Sequence, residues 1–184
     1  QPSTWALVIA LCGPNGRVAG CEALFVAHAG ASAAPLFVAG ALGMLIGDVM
    51  VGRAMSPAWR NRSAGWLRML LAAPFLVFVW HPSLPIATLL TGVACIGYAA
   101  SLGQQELLVQ LTPASMSGQV LGAESAARVT CQGLGAALAG LVAELISPSS
   151  AITLLATWFV ARVGAVDAGT CARSTPGLVI HRQP

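Results

Sequence analysis

Lysine is missing from this chain, and charge of either sign is scarce: nine arginines and six acidic residues make up 8% of 184 positions. Soluble domains carry about a quarter charged residues. So few cannot cover a surface that faces water, which excludes an ordinary soluble domain. The net charge of +3 is too small and too dispersed to hold nucleic acid. No Walker A sequence is present, so no built-in ATP motor is expected. Neither a G-x-S-x-G elbow nor an HExxH pair appears, and no nucleophile–base pair can be assembled, so an enzyme is not expected. His28, His81 and His181 are scattered, so no metal site or bound cofactor is expected. Cys12, Cys21, Cys95, Cys131 and Cys171 show no C-x-x-C spacing and read as small packing residues. No N-terminal run resembles a cleavable signal peptide.

What the chain does have is apolar length. Hydrophobic residues fill 57% of positions, with a mean hydropathy of +0.78. Between Glu22 and Asp48 lie 25 residues without formal charge, and between Arg68 and Glu106 lie 37, interrupted by "WHPSLP". A helix crossing the hydrocarbon core needs about 20 apolar residues. The longer run is therefore two spans joined at a proline-rich turn, and the fold class is an all-α membrane protein surrounded by lipid.

Breakers and charges place six transmembrane helices, near 5–28, 36–51, 64–80, 84–103, 117–145 and 149–166. Residues 1–167 form one six-span unit, and 168–184 read as a polar, disordered cytoplasmic tail. Arg53, Arg60, Arg62 and Arg68 crowd the second connection, and Arg162, Arg173 and Arg182 follow the last span. The connections "HAGASAAP", "WHPSLP" and "SPSS" hold no arginine. By the positive-inside bias the arginine-rich side is cytoplasmic, which puts both ends of the chain inside. Trp5, Trp59, Trp66 and Trp80 fall near the expected interfaces.

Arg17, Glu22, Glu124 and Arg128 sit where lipid should be, and such groups are functional by default. Glu124 and Arg128 share a helix face at i,i+4. They read either as a self-neutralising pair or as a substrate contact in which Arg128 attracts a polar or anionic molecule. Glu22 follows "CGPNGRVAGC", where Pro14 and Gly16 predict a break near mid-span. It reads either as a coupled proton carrier or as a partner of Arg17 or of another helix. Gln132 reads as an interhelical hydrogen bond or a lining residue. Gly92 and Gly97, with Tyr98 and Ser101, soften the fourth span. Gly16-x-x-x-Gly20, Gly43-x-x-x-Gly47 and Gly118-x-x-x-Gly122 are close-packing signatures, expected at helix contacts.

The stretch "GMLIGDVMVGRAMSPAWRNR" gathers Gly43, Gly47, Asp48, Gly52 and Arg53. It resembles the signature between the second and third helices of each half of major facilitator superfamily transporters. It departs from that pattern in the Asp48-to-Gly52 spacing of four and in Val49 after the aspartate. "PNGRVAGCEALFVAHAG", "GYAASLGQQELLVQLTP" and "SGQVLGAESAARVTCQGLGAALAG" resemble helices seven, ten and eleven of actinobacterial permeases of this superfamily.

The resemblance covers about residues 5–167. It implies helices 7–12 of a twelve-helix secondary transporter in the plasma membrane, with the N-terminal six-helix half as partner. The implied activity is alternating-access export of small organic molecules, coupled to an ion such as a proton. Asp48 and Arg53 would make charge contacts with a neighbouring helix end in one closed state. That the sequence opens at Gln1 directly before a span agrees with this expectation. The competing expectation is a complete six-span protein that dimerises through its glycine-rich faces into a carrier or pore.

Overall fold

A computed structural model describes residues 2–173, with side chains described from Leu11 to Ala161 apart from Pro57 and Asn61. The described chain is helical from end to end. In order it forms α1 (Pro2–Ala23), the short α2 (Phe25–Ala29), α3 (Ala34–Ala54), α4 (Pro57–Leu76), α5 (Leu84–Ile96), α6 (Ala100–Leu111), α7 (Ser117–Leu145) and α8 (Pro148–Arg173). Single 3₁₀ turns join α2 to α3, extend α4 through Trp80, and link α5 to α6 at Gly97–Ala99.

Prolines set many of the starts. Proline occupies one of the first two positions of α3, α4 and α5 and opens α8, where its missing N–H has no intrahelical acceptor to lose. The α4 rod stops at His81, which turns left-handed at φ 48° immediately before Pro82. Six long rods thus occupy the positions of the six expected spans.

Among the described residues four stretches, not six, are long and apolar enough to cross a membrane: Ala34–Ala54, Arg62–Trp80, Leu84–Leu111 and Ala114–Leu145. At about 1.5 Å per residue, 21 residues of α3 rise about 31 Å, matching a hydrocarbon core of about 30 Å. The described apolar stretch of α8, Pro148–Ala161, is shorter.

Several expectations need correcting. α1 continues through Pro14 without a break, as α4 continues through Pro74. A proline removes one backbone donor, and membrane helices re-satisfy the freed carbonyl locally. The chain turns instead after Ala23, beyond Glu22. α8 runs past Asp167 to Arg173, so helix continues into the segment expected to be a disordered tail; residues 174–184 lie outside the described residues.

The rods form an arc. α1 lies along α7, α3 along α5, and α4 joins the two pairs by packing on α5, α6 and α8. Two of the three glycine pairs are the seams. A Cβ on Gly16 would meet the Cys131 carbonyl oxygen at 2.6 Å, and one on Gly20 would meet that of Gly135 at 3.0 Å. Gly43 and Gly47 face the backbone of Gly92 and Ile96 in the same way, so both seams close backbone to backbone. The third pair differs from expectation: nothing lies within 4 Å of a Cβ at Gly118 or Gly122. Neither glycine of that pair is covered, and Val129, Leu134, Leu138 and Leu141 elsewhere on α7 are exposed as well.

Packing is densest at one end of the bundle. Phe25, Phe75 and Phe78 are fully buried there beside Leu36 and Ile152. Phe75 and Phe78 lie tilted against each other, centroids 5.7 Å apart, and Phe25 meets Phe37 edge-on at 5.5 Å. Trp59, Trp66 and Trp80 point outward, more than 60% exposed, as indole rings seeking an interface would. The hydroxyls of Thr88, Thr91, Thr130, Thr153 and Thr157 donate to carbonyls one turn back. Each polar group is thereby satisfied inside its own helix.

Candidate functional site

A polar core runs through the bundle where α1, the α5–α6 junction and α7 meet. Its hub is Asn15, 2% exposed, on the same face of α1 as Glu22. The Asn15 amide nitrogen donates to the Leu11 carbonyl at 3.0 Å. Its oxygen accepts from Gln132 Nε2 at 3.3 Å and, in a short contact, from the Tyr98 hydroxyl. Tyr98 reaches this point because the 3₁₀ turn at Gly97 brings the junction against α4. A Cβ on Gly97 would collide with the Leu67 and Leu71 backbone.

Tyr98 also lies within interaction range of both Arg128 and Glu22. Arg128 in turn donates to Glu124 Oε2 at 3.2 Å, with the Glu124 side chain only 4% exposed. Tyr98 and the Asn15–Gln132 bridge therefore lie between two carboxylates, Glu22 on α1 and Glu124 on α7.

Of the intramembrane polar residues singled out from sequence, Glu124, Arg128 and Gln132 come together here. Arg17 does not. Its guanidinium turns to α8, 4.2 Å above the Trp158 ring and 5.2 Å from that of Phe159, a cation–π arrangement. Residues i and i+5 point to different sides of a helix, so Arg17 and Glu22 are not the pair considered from sequence. Glu22 is half-buried near Gly40 of α3 and forms no ion pair among the described residues.

Sequence reasoning missed Asn15. Its neighbours Pro14 and Gly16 drew attention as helix breakers, whereas the usable signal was a carboxamide in an apolar run, seven residues before Glu22 on one face.

The signature residues take a different geometry from the one expected. Gly43 and Gly47 are buried in the α3–α5 seam. Asp48, Gly52 and Arg53 are exposed, and Asp48 and Arg53 form no ion pair among the described residues. Arg60 makes the contact between helix ends. Its Nε donates to the carbonyls of Val51 and Met55 at 3.2 and 3.0 Å, one terminal nitrogen to that of Gly52 at 2.8 Å, and the other to Glu106 on α6 at 3.1 Å. It caps the last carbonyls of α3, where cations are favoured, and ties that end to α6.

Beyond Arg60 a groove of about 540 Å³ opens toward α7, lined by Arg60, Gln105, Glu106, Leu121, Glu124 and Arg128. At the opposite end, a cavity of about 490 Å³ is lined by His28, His81 and Ser149 among others. His28 Nδ1 hydrogen-bonds Ser149 Oγ at 2.8 Å, and its ring lies tilted against Phe78, centroids 5.3 Å apart. Burial, and then the nearby His81, push the His28 imidazole below its ordinary value. Among the described residues no three His, Cys, Asp or Glu side chains group to hold a metal.

The chain matches no family model, no curated protein and no solved structure.

Proposed function

We propose that this chain is the C-terminal six-helix half of a major facilitator-type secondary transporter, exporting small organic molecules across the plasma membrane by alternating access. The observation that carries the reading is a hydrogen-bonded polar core with two carboxylates inside an arc of apolar rods. Intramembrane ionisable groups of this kind line substrate and proton pathways in transporters. The two outer helices of the arc supply the second support. α3 exposes Phe37, Leu42, Leu45 and Ile46, and α7 is barely buried along its length. A partner half would cover both and close a cavity over the polar core.

In this reading Glu22, beside Tyr98, is the proton carrier, and Gln132 and Arg128 line the substrate path. Asp48 and Arg53, exposed at the end of α3, pair with the N-terminal half in one closed state only. Such a pair biases the equilibrium between states. The arginine-rich connection and both chain ends are cytoplasmic. Without the other half the chain does not transport.

Reading the coding sequence upstream of Gln1 and assaying flux in vesicles tests this. The expectation is six further spans in frame, uptake by the two halves together, and none by this chain alone. Transport by this chain alone overturns the reading. It would instead favour a six-span protein that dimerises, for which the uncovered Gly118-x-x-x-Gly122 pair on α7 is the specific observation.

A further inference from the structure

The groove beside Arg60 is walled by a carboxylate that has one unfilled hydrogen-bonding position. Glu124 is 3% exposed, its Oε2 is held by Arg128, and its Oε1 is buried without a hydrogen-bond partner. A buried acceptor left unpaired is costly, and more so when charged. The same side chain lines the groove.

Both cations of the groove are already engaged. Arg60 spends its donors on three carbonyls and Glu106, and Arg128 serves Glu124 and the neighbourhood of Tyr98. The remaining capacity is that of an acceptor. An incoming anion would meet two carboxylates whose counter-charges are taken, whereas a donor bearing positive charge completes the Glu124 carboxylate. Leu102, Val109 and Leu121 furnish apolar wall around it, suited to a hydrocarbon body attached to the charged head.

We propose that this groove binds a protonated organic amine, its ammonium group donating to the Glu124 carboxylate after a side-chain rotation that presents the buried Oε1, while its apolar part lies against Leu102, Val109 and Leu121. This reverses the polarity considered from sequence, in which Arg128 drew an anion: Arg128 lines the groove but spends its charge on positioning the carboxylate. The proposal rests on the transporter reading for its purpose, as the entry site of an amine substrate. Binding is measured apart from flux, so that the two fail separately.

The full chain in lipid nanodiscs is dialysed to equilibrium against 2-phenylethylammonium, 3-phenylpropan-1-ol or 3-phenylpropionate, with empty nanodiscs as blank. The expected result is saturable binding of the ammonium probe alone, weakened at least tenfold by Glu124→Gln. Leu121→Trp narrows the groove without touching the ion pair. It weakens binding to the same extent, and decides the matter should Glu124→Gln not fold. No saturable ammonium binding above the blank overturns the proposal. So does ammonium binding unaffected by the two variants, or saturable propionate binding that Arg128→Gln abolishes. Ammonium binding in a protein that never transports leaves this site standing and removes the transporter reading.

Discussion

Arg60 and Glu106, joined at 3.1 Å, bind the end of α3 to α6, because the same guanidinium also holds three carbonyls of the turn that closes α3. The two partners are unequal. Removing Glu106 deletes one partly exposed ion pair, a kind worth about 0–1 kcal/mol. Removing Arg60 also strips the carbonyl cap.

Arg60→Ala is therefore expected to cost about 1–3 kcal/mol and Glu106→Gln less than about 1 kcal/mol. Hydrogen exchange at residues 51–56 reads the difference. Exchange should rise strongly in the first variant and little in the second. Equal effects would show that the ion pair alone, and not the cap, holds the turn.

The glycine pairs make a second contrast. Gly16→Ala places a methyl against the Cys131 carbonyl, and overpacking of this kind costs about 1–3 kcal/mol. Gly122→Ala meets open space and recovers up to about 1 kcal/mol of helix propensity. Unfolding in mixed micelles should lower the midpoint for the first and leave the second unchanged or raised. A loss in Gly122→Ala would instead reveal a second copy packed on α7, visible as a change in oligomeric state.

Asn15 is expected to be the costliest polar residue to replace. Asn15→Leu removes a partner from both the Tyr98 hydroxyl and the Gln132 amide, which are half-buried, at up to about 1–3 kcal/mol for each group. Tyr98→Phe leaves Asn15 its Gln132 bond and should cost clearly less. A double-mutant cycle on stability measures the coupling. Additive losses would mean that the three side chains do not act as a unit.

The far end of the bundle is expected to weaken in acid. His28 titrates below the ordinary 6.5 because burial and His81 oppose its charge. A base with a depressed folded value contributes stability that is complete above the unfolded value. That stability is lost as pH falls below about 6.5 toward the folded value. Its bond to Ser149 survives protonation, since a protonated ring still donates, so the loss comes from burial and repulsion alone. Stability followed from about pH 8 to pH 5 should decline in the wild type and decline less in His28→Gln. Parallel slopes would assign the acid sensitivity elsewhere.

The rods were legible in the sequence because lipid demands long apolar runs and punctuation between them is plain. His81-Pro82 and Ser147-Pro148 fall at helix ends, whereas the expected arginine-rich connection does so only at Arg53: α4 already starts at Pro57 and carries Arg60, Arg62 and Arg68 within it. What the one-dimensional pattern could not carry was azimuth. Glu124 and Arg128 at i,i+4 were readable as a pair, and the structure pairs them. By contrast, Arg17 and Glu22 are near neighbours in the chain yet face different helices. The three glycine pairs look alike in sequence, and only packing distinguishes the two seams from the open face of α7. Asn15 became conspicuous only once Tyr98 and Gln132, far away in the chain, arrived at its side chain.

The two glycine seams divide the molecule mechanically. With backbone against backbone along α1–α7 and again along α3–α5, neither pair has side-chain padding through which its helices could slide or separate. Each behaves as one plank. Relative motion is left to the joints that α4 makes with α5, α6 and α8, to those that α1 makes with α6 and α8, and to the clamp at Arg60, which bridges the end of the α3–α5 plank to α6. The Glu124 groove lies beside that clamp, so its width is set by how the planks are splayed and not by the bending of any single helix.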